Sequence, residues 1–375
     1  MVVRIVNCAQ IVELCASGGV LTFVSESAET HAREHFGVSA DCGADVSVRR
    51  VYLKGELIGD ISVLQSLCKE QSNHTVVGIG SGWLCDIAKI VGRAQSTVRS
   101  GVRTVLVPSA LTQNGPFTHK AVADERFMAL IGPPRDVREQ TGVRARHSVV
   151  TGFPDEVWIC YELLQRPGNA RFNRAGLGDP LSAITGIFDN ELADRDITEP
   201  GRRQWYHADL HPDLNDEARD MVRRIDDLAP AIRANTRQGI DVTVDALRAS
   251  ARWHYHAQRL INGSEHSFAD TAERIIRRKG FLALHGELLS VGILCVLYLQ
   301  DRFDEIGPTK GLLASLELPV NYTSVGLTKQ ETLHALRTAV DCRPDKYGIL
   351  NTVGDSTTFE RAVSEVFNNA LTKAE

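Results

Sequence analysis

The rhythm of apolar positions changes near residue 167. Before that point the β-branched runs Val20–Val24, Val48–Leu53, Thr75–Val77 and Thr104–Val107 alternate with stretches of helical spacing. Such alternation predicts a parallel sheet wrapped by helices. A further run, Val157–Cys160, leads into Tyr161-Glu-Leu-Leu and then Arg166-Pro-Gly-Asn, whose Pro167 and Gly168 mark a boundary. Beyond it, apolar residues recur at i, i+3 and i+4 over Ala175–Ala193, Thr271–Ile276 and Phe281–Leu299, which predicts helices. Residues 194–215, polar and broken by Pro200, Gly201 and Pro212, read as a solvent-facing connection. Residues 124–146, charged and carrying Gly132-Pro-Pro, read as a surface excursion. The expected fold class is α/β plus all-α, with a sheet domain over 1–166 and a helical domain over 167–375.

At 375 residues the chain is long enough for two domains, each with its own core. Lys+Arg 42 against Asp+Glu 47 gives a net charge of -5, which offers no basic surface for nucleic acid. No stretch reaches the ~18 apolar residues of a membrane span, and the amino terminus lacks the charged and apolar regions of a signal peptide. A cytoplasmic protein without nucleic-acid or membrane partners is expected. The eight cysteines (Cys8, Cys15, Cys42, Cys68, Cys85, Cys160, Cys295 and Cys342) form no CxxC pair and mostly have apolar neighbours, so they read as reduced packing residues.

The sharpest local signal is Val76-Val-Gly-Ile-Gly-Ser-Gly-Trp-Leu-Cys-Asp-Ile-Ala-Lys89, a strand that meets glycines and then an amphipathic helix. Gly78, Gly80 and Gly82 permit a tight turn and a close approach, and the helix start offers free N–H groups to a pyrophosphate. The spacing is not GxGxxG, so a plain strand-to-helix turn is the competing reading. Glu26, just beyond the strand at Val20–Val24, is placed to accept hydrogen bonds from an adenosine ribose, which favours NAD, with NADP the alternative. The segment Val107-Pro-Ser109-Ala-Leu-Thr112-Gln-Asn114-Gly115 follows another strand and supplies hydroxyl and amide groups toward the nicotinamide end.

Three further motifs open helical segments: Gly176-Leu-Gly-Asp179, Ser264-Glu-His266 and Leu284-His285-Gly-Glu287. One carboxylate and two imidazoles form a mixed oxygen and nitrogen set suited to a divalent metal, zinc first, with iron, nickel and cobalt as alternatives.

With these motifs in place, the chain resembles the glycerol-1-phosphate dehydrogenases, within the superfamily of iron-containing alcohol dehydrogenases, glycerol dehydrogenases and dehydroquinate synthases. GIGSGWLCDIAK, VPSALTQNG, AGLGD, NGSEH and ALHGE stand in that family's order and spacing, and the resemblance covers about residues 20 to 350. It implies an N-terminal Rossmann-like domain, a C-terminal helical domain and an active site between them. It implies Asp179, His266 and His285 as metal ligands, and places Gly80, Ser81, Gly82, Asp86 and Lys89 in the cofactor motif, with Thr112 near the dinucleotide. Arg259, seven residues before His266, matches an arginine of the family that would clamp a substrate phosphate. Arg343-Pro-Asp-Lys-Tyr-Gly-Ile-Leu350 resembles a C-terminal segment of the dehydrogenases and reads as structural.

Four positions depart from the pattern. Asn114 replaces an aspartate, so an amide that cannot accept a proton stands where a substrate hydroxyl is expected. Asp270 replaces a histidine four residues after His266 and on its helix face, which makes it the candidate for proton transfer. Ala183 replaces a lysine, and Lys120, six residues after Asn114, matches the Asp-to-Lys spacing of the dehydroquinate synthase motif, which leaves an anion-binding cation and a solvated His119-Lys120 loop pair as equal readings. The implied activity is reversible hydride transfer between NAD and a small polyol or polyol phosphate. A sugar phosphate cyclase is the alternative enzyme, and a catalytically silent binding protein the third reading. A homo-oligomer is expected.

Overall fold

Six parallel strands form the sheet that the β-branched runs predict. The computed structural model describes residues 1–25, 48–53, 68–69, 74–123, 147–206, 212–256, 262–344 and 346–367, and it divides into two units, Met1–Ala170 and Arg171–Glu375. In the first unit the strands are β1 (Val2–Val6), β2 (Val20–Ser25), β3 (Val48–Leu53), β4 (Thr75–Gly80), β5 (Arg103–Pro108) and β8 (Glu156–Cys160). Their order across the sheet is β1-β8-β5-β4-β2-β3. Strands β6 (Lys120–Ala123) and β7 (His147–Val150) pair antiparallel as a separate ribbon. Helices α1 (Cys8–Ala16), α2 (Gly82–Val98) and the short α3 (Tyr161–Leu164) complete this unit.

Burial explains the strand pattern. In β4, β5 and β8 nearly every residue is buried, as expected of parallel strands covered on both faces. β1 is different: it lies on the sheet edge with Val2 and Ile5 exposed, and it carries no alternation by which the sequence reading could have found it. Its helix, α1, starts at Asn7, whose side chain accepts the Gln10 amide while Gln10 returns a bond to the Asn7 amide, a capping box.

The second unit is helical: α4 (Ala170–Ala175) crosses its border, followed by α5 (Gly178–Leu181), α6 (Ala183–Asp196), α7 (Pro200–Tyr206), α8 (Pro212–Asp227), α9 (Ala229–Arg233) and α10 (Arg237–His256). Then come α11 (Ser264–Arg278), α12 (His285–Leu299), α13 (Phe303–Ser315), α14 (Lys329–Cys342) and α15 (Ser356–Phe367). Helix α12 is buried on every face from Gly286 to Leu299 and forms the centre of the large apolar cluster. Phe281 and Leu282, expected to open that helix, instead stand exposed before it. The expected connection at 194–215 is also corrected, because α7 and α8 begin at Pro200 and Pro212. Proline suits the first helical turn, where its missing N–H would have no partner, so the same residue that reads as a breaker starts both helices. The expected excursion at 124–146 lies outside the described residues.

Candidate metal centre and dinucleotide seat

In the first unit, β4 passes Gly78 and Gly80, and after Ser81 alone the chain enters α2. A β-carbon at Gly78 would stand 2.6 Å from that of Ala88, one at Gly80 would stand 3.0 Å from that of Leu84, and one at Gly82 would strike the Gln113 side chain. The glycines therefore let α2 lie against the end of β4 and admit Gln113 beside the turn. The opening amides of α2 have no acceptor within the helix, and they form its positive end. The Ser81 hydroxyl makes no capping bond to them. Next to this turn the Ser109 amide donates to the Gly80 carbonyl at 2.9 Å, and the Ser109 carbonyl accepts from Asn169 at 2.6 Å, which fixes the exit of β5. Thr112 and Asn114 follow, both half-buried, and the Asn114 carbonyl accepts the Phe117 amide at 2.9 Å.

Asp86 and Lys89 lie in the first two turns of α2. Both are buried and pair at 2.9 Å. The Lys89 ammonium also donates to the carbonyls of Gly115 (2.7 Å) and Lys120, while Asp86 accepts the Val122 amide at 3.1 Å. These bonds tie α2 to the 115–122 segment. The pair thereby holds the segment that adjoins the glycine turn. Lys120 opens β6 and is half-buried.

In the second unit, Asp179, His266 and His285 come together from three helices that start near one point. The ligand-capable atoms of the three lie within 4.8 Å of one another. His266 Nε2 is 3.4 Å and His285 Nε2 3.9 Å from Asp179 Oδ1, and the two rings are centred 5.4 Å apart. Two glycines make this approach possible. A β-carbon at Gly286 would overlap the Ala175 carbonyl, 2.7 Å from its carbon and nearer still to its oxygen, and one at Gly178 would overlap the Gly286 backbone. Glycine beside each ligand thus lets α5 and α12 touch through their backbones, which brings Asp179 and His285 together.

Behind His266 stands Glu265, fully buried, whose Oε1 accepts His266 Nδ1 at 2.8 Å and the Gly263 amide at 2.9 Å. Its Oε2 accepts the Thr185 hydroxyl at 2.8 Å. A carboxylate in this position fixes the ring and directs Nε2 toward the cluster. Asp189 accepts the Ser264 amide at 2.7 Å and the Ile349 amide at 2.9 Å, and so anchors the start of α11. Burial, with the nearby Glu265 charge, pushes the Asp189 carboxyl up to about 6. Beside His285, Glu287 receives both Arg171 nitrogens at 2.6 and 2.8 Å. Burial opposes charge on His266, yet its bonds to Asp179 and Glu265 outweigh this and raise its pKa. For His285 burial outweighs the pull of Asp179 and lowers its pKa, which favours the neutral ring.

The sequence reading passed over Glu265, Thr185, Asp189 and Arg171. Glu265 and Glu287 stood inside the NGSEH and ALHGE motifs, so their signal was present. Nothing local marked the other three. Glu26 and Arg259 lie outside the described residues.

No protein-family profile matches the chain. It is 26% identical over 318 residues to a glycerol-1-phosphate dehydrogenase [NAD(P)+] of Sulfurisphaera tokodaii, covering 83% of this chain and 79% of the relative. It is 28% identical over 291 residues to one of Hyperthermus butylicus, covering 76% and 72%. A probable glycerol dehydrogenase from Sinorhizobium meliloti shares the fold with a TM-score of 0.66 at 19% identity, over 97% of this chain and 95% of that one. A 1,3-propanediol oxidoreductase aligns with a TM-score of 0.62 at 12% identity, over 98% of each chain. The sequence is thus similar to the glycerol-1-phosphate dehydrogenases, and the fold is that of the glycerol and iron-containing alcohol dehydrogenases.

Two of the positions that depart from the family pattern have structural consequences. Asp270 receives Arg343 at 2.5 Å, and Arg343 also donates to Asn262 at 2.7 Å. Burial alone would raise the Asp270 pKa, but the guanidinium overrides it and holds the carboxyl well below the usual range. The Arg343 ion pair thus favours the charged form of Asp270. Ala183 is fully buried and packs with Ile187, Ala218 and Trp253.

Proposed function

We propose that this protein is a metal-dependent, NAD(P)-linked dehydrogenase that moves hydride between the nicotinamide and a small polyol or polyol phosphate. The observation that carries the proposal is the Asp179, His266 and His285 cluster with Glu265 aimed at the His266 ring. Its two nitrogens and one oxygen fit a divalent ion of the zinc or iron type and leave coordination positions for substrate. Such an ion, when bound, supplies Lewis acidity to a substrate hydroxyl.

The chain's own residues do the rest. Gly78, Gly80 and Gly82 open the turn before α2 for a pyrophosphate, with Ser81, Ser109 and Thr112 offering hydroxyls. Asp86 and Lys89 hold the adjoining segment still. Asn114 presents an amide for a substrate hydroxyl, Lys120 a cation for an anionic group, and Arg259 and Glu26 enter from the sequence alone as a phosphate clamp and a ribose acceptor. Two phosphate-seeking cations favour a phosphorylated polyol, and glycerol-1-phosphate is the first to test because the relatives bear its name.

The test uses the full-length protein loaded with zinc and mixed with NAD+ and glycerol-1-phosphate or related polyol phosphates. NADH absorbance should appear, vanish on chelation and return when the ion is restored. A metal-loaded, NAD-binding protein that leaves NADH unchanged across the panel would defeat the proposal. Phosphate release without net NADH would point to the cyclase instead.

A further inference from the structure

Cys8 and Cys160, which read as separate packing residues 152 positions apart, meet in the first unit. Their sulfurs are 3.4 Å from each other, Cys160 Sγ donates to Glu162 Oε2 at 3.0 Å, and the Cys8 amide donates to the same oxygen at 3.1 Å. Cys8 is the first residue of α1, Cys160 the last of β8, and Glu162 lies in the first turn of α3. The parallel register explains the meeting: Val6 at the end of β1 faces Cys160, so the turn into α1 sets Cys8 beside it. Both sulfurs are buried, while Glu162 is exposed.

We infer that Cys8, Cys160 and Glu162 form a second metal site, for a thiophilic divalent ion such as zinc, separate from the Asp179 cluster. Their donor atoms lie within 4.8 Å of one another. A tetrahedral zinc with Zn–S of about 2.3 Å and Zn–O of about 2.0–2.2 Å puts its sulfurs about 3.8 Å apart and sulfur from oxygen about 3.5 Å. The observed 3.4 and 3.0 Å fall short of these by about half an ångström, a change that small side-chain rotations supply. The Glu162 carboxylate already accepts the Cys160 S–H, on the side where the ion would replace that proton. Binding converts two thiols and one carboxylate into a bis-thiolate carboxylate complex with release of two protons, and water fills the fourth position. With three protein ligands from the ends of β1/α1, β8 and α3, the ion ties the exposed edge strand β1 to its neighbour.

Cobalt(II) titration of the metal-free, reduced full-length protein tests this, because only the proposed site contains sulfur. Two cobalt ions per chain and a near-ultraviolet sulfur-to-cobalt charge-transfer band are expected. The band should survive His266→Ala, which disables the other cluster, and disappear in Cys8→Ser and Cys160→Ser, each leaving one ion per chain. Circular dichroism of both serine variants confirms the fold, and Cys8→Ser serves if the more buried Cys160→Ser does not fold. Glu162→Gln should keep the band and weaken binding at least tenfold. A single ion without a sulfur band, a band that persists in the serine variants, unchanged affinity in Glu162→Gln, or loss of both thiols to a reductant-reversible disulfide in place of binding would each overturn the inference.

Discussion

Replacing Gly286 with alanine tests whether glycine contact is what assembles the Asp179, His266 and His285 cluster. The added β-carbon would lie 2.7 Å from the Ala175 carbonyl carbon, where carbon atoms normally rest about 3.5–4.0 Å apart. The clash is with backbone, so no side chain can swing away. The start of α12 must therefore draw back from the Ala175–Gly178 segment by about 1 Å. His285 moves with it, whereas Asp179 stays with α5. Metal–ligand distances tolerate about 0.2 Å, so a shift of about 1 Å is roughly five times what the centre can absorb. Overpacking of this kind costs about 1–3 kcal/mol, and the better helix propensity of alanine returns at most about 1. Two measurements follow: urea unfolding, expected to show a loss of about 1–2 kcal/mol, and zinc affinity by chelator competition, expected to fall at least tenfold. Wild-type affinity and wild-type stability together would refute the claim that backbone contact sets the Asp179 to His285 spacing. His285→Ala separates the two effects, since it should abolish binding with a smaller loss of stability.

Glu265→Gln removes the charge behind His266 while keeping its shape. Zinc affinity should fall by about 10–100-fold, the usual effect of disturbing a residue that orients a metal-binding histidine, and an unchanged affinity would exclude that role. Lys89→Met leaves Asp86 charged and buried without its ion-pair partner; unfolding experiments should show a loss of about 3–5 kcal/mol, partly recovered by adding Asp86→Asn. A loss below about 1 kcal/mol would mean that the pair does not hold the turn. The Asp189 carboxyl keeps its proton to about pH 6 in the folded protein but releases it near 3.8 when unfolded. Its contribution is therefore most favourable below about pH 4 and declines by about 3 kcal/mol as pH rises through 6. Relative to Asp189→Asn, which does not titrate, the wild type should gain stability as pH falls from 6 to 4; a difference independent of pH would contradict the raised pKa.

The sequence by itself determined much of the architecture and singled out the Asp179, His266 and His285 trio that the fold brings together. Parallel strands are β-branched runs, and Val48–Leu53 or Thr75–Val77 can be found from that composition alone. These three residues were legible because each stands in a short motif, Gly-Leu-Gly-Asp179, Ser-Glu-His266 and His285-Gly-Glu, at the start of a helix. Tertiary structure decided what each group does. Whether Pro200 breaks a helix or begins one depends on where the amides before it find partners. The charge state of Asp270 depends on Arg343, 73 positions away, and Asp86 and Lys89 meet the 115–122 segment because α2 packs on it. Cys8 and Cys160 acquire a common chemistry only when β1 pairs with β8. Periodicity and capping act over a few residues and are written locally; charge state, burial and ligand grouping depend on fields and contacts between segments that only folding brings together.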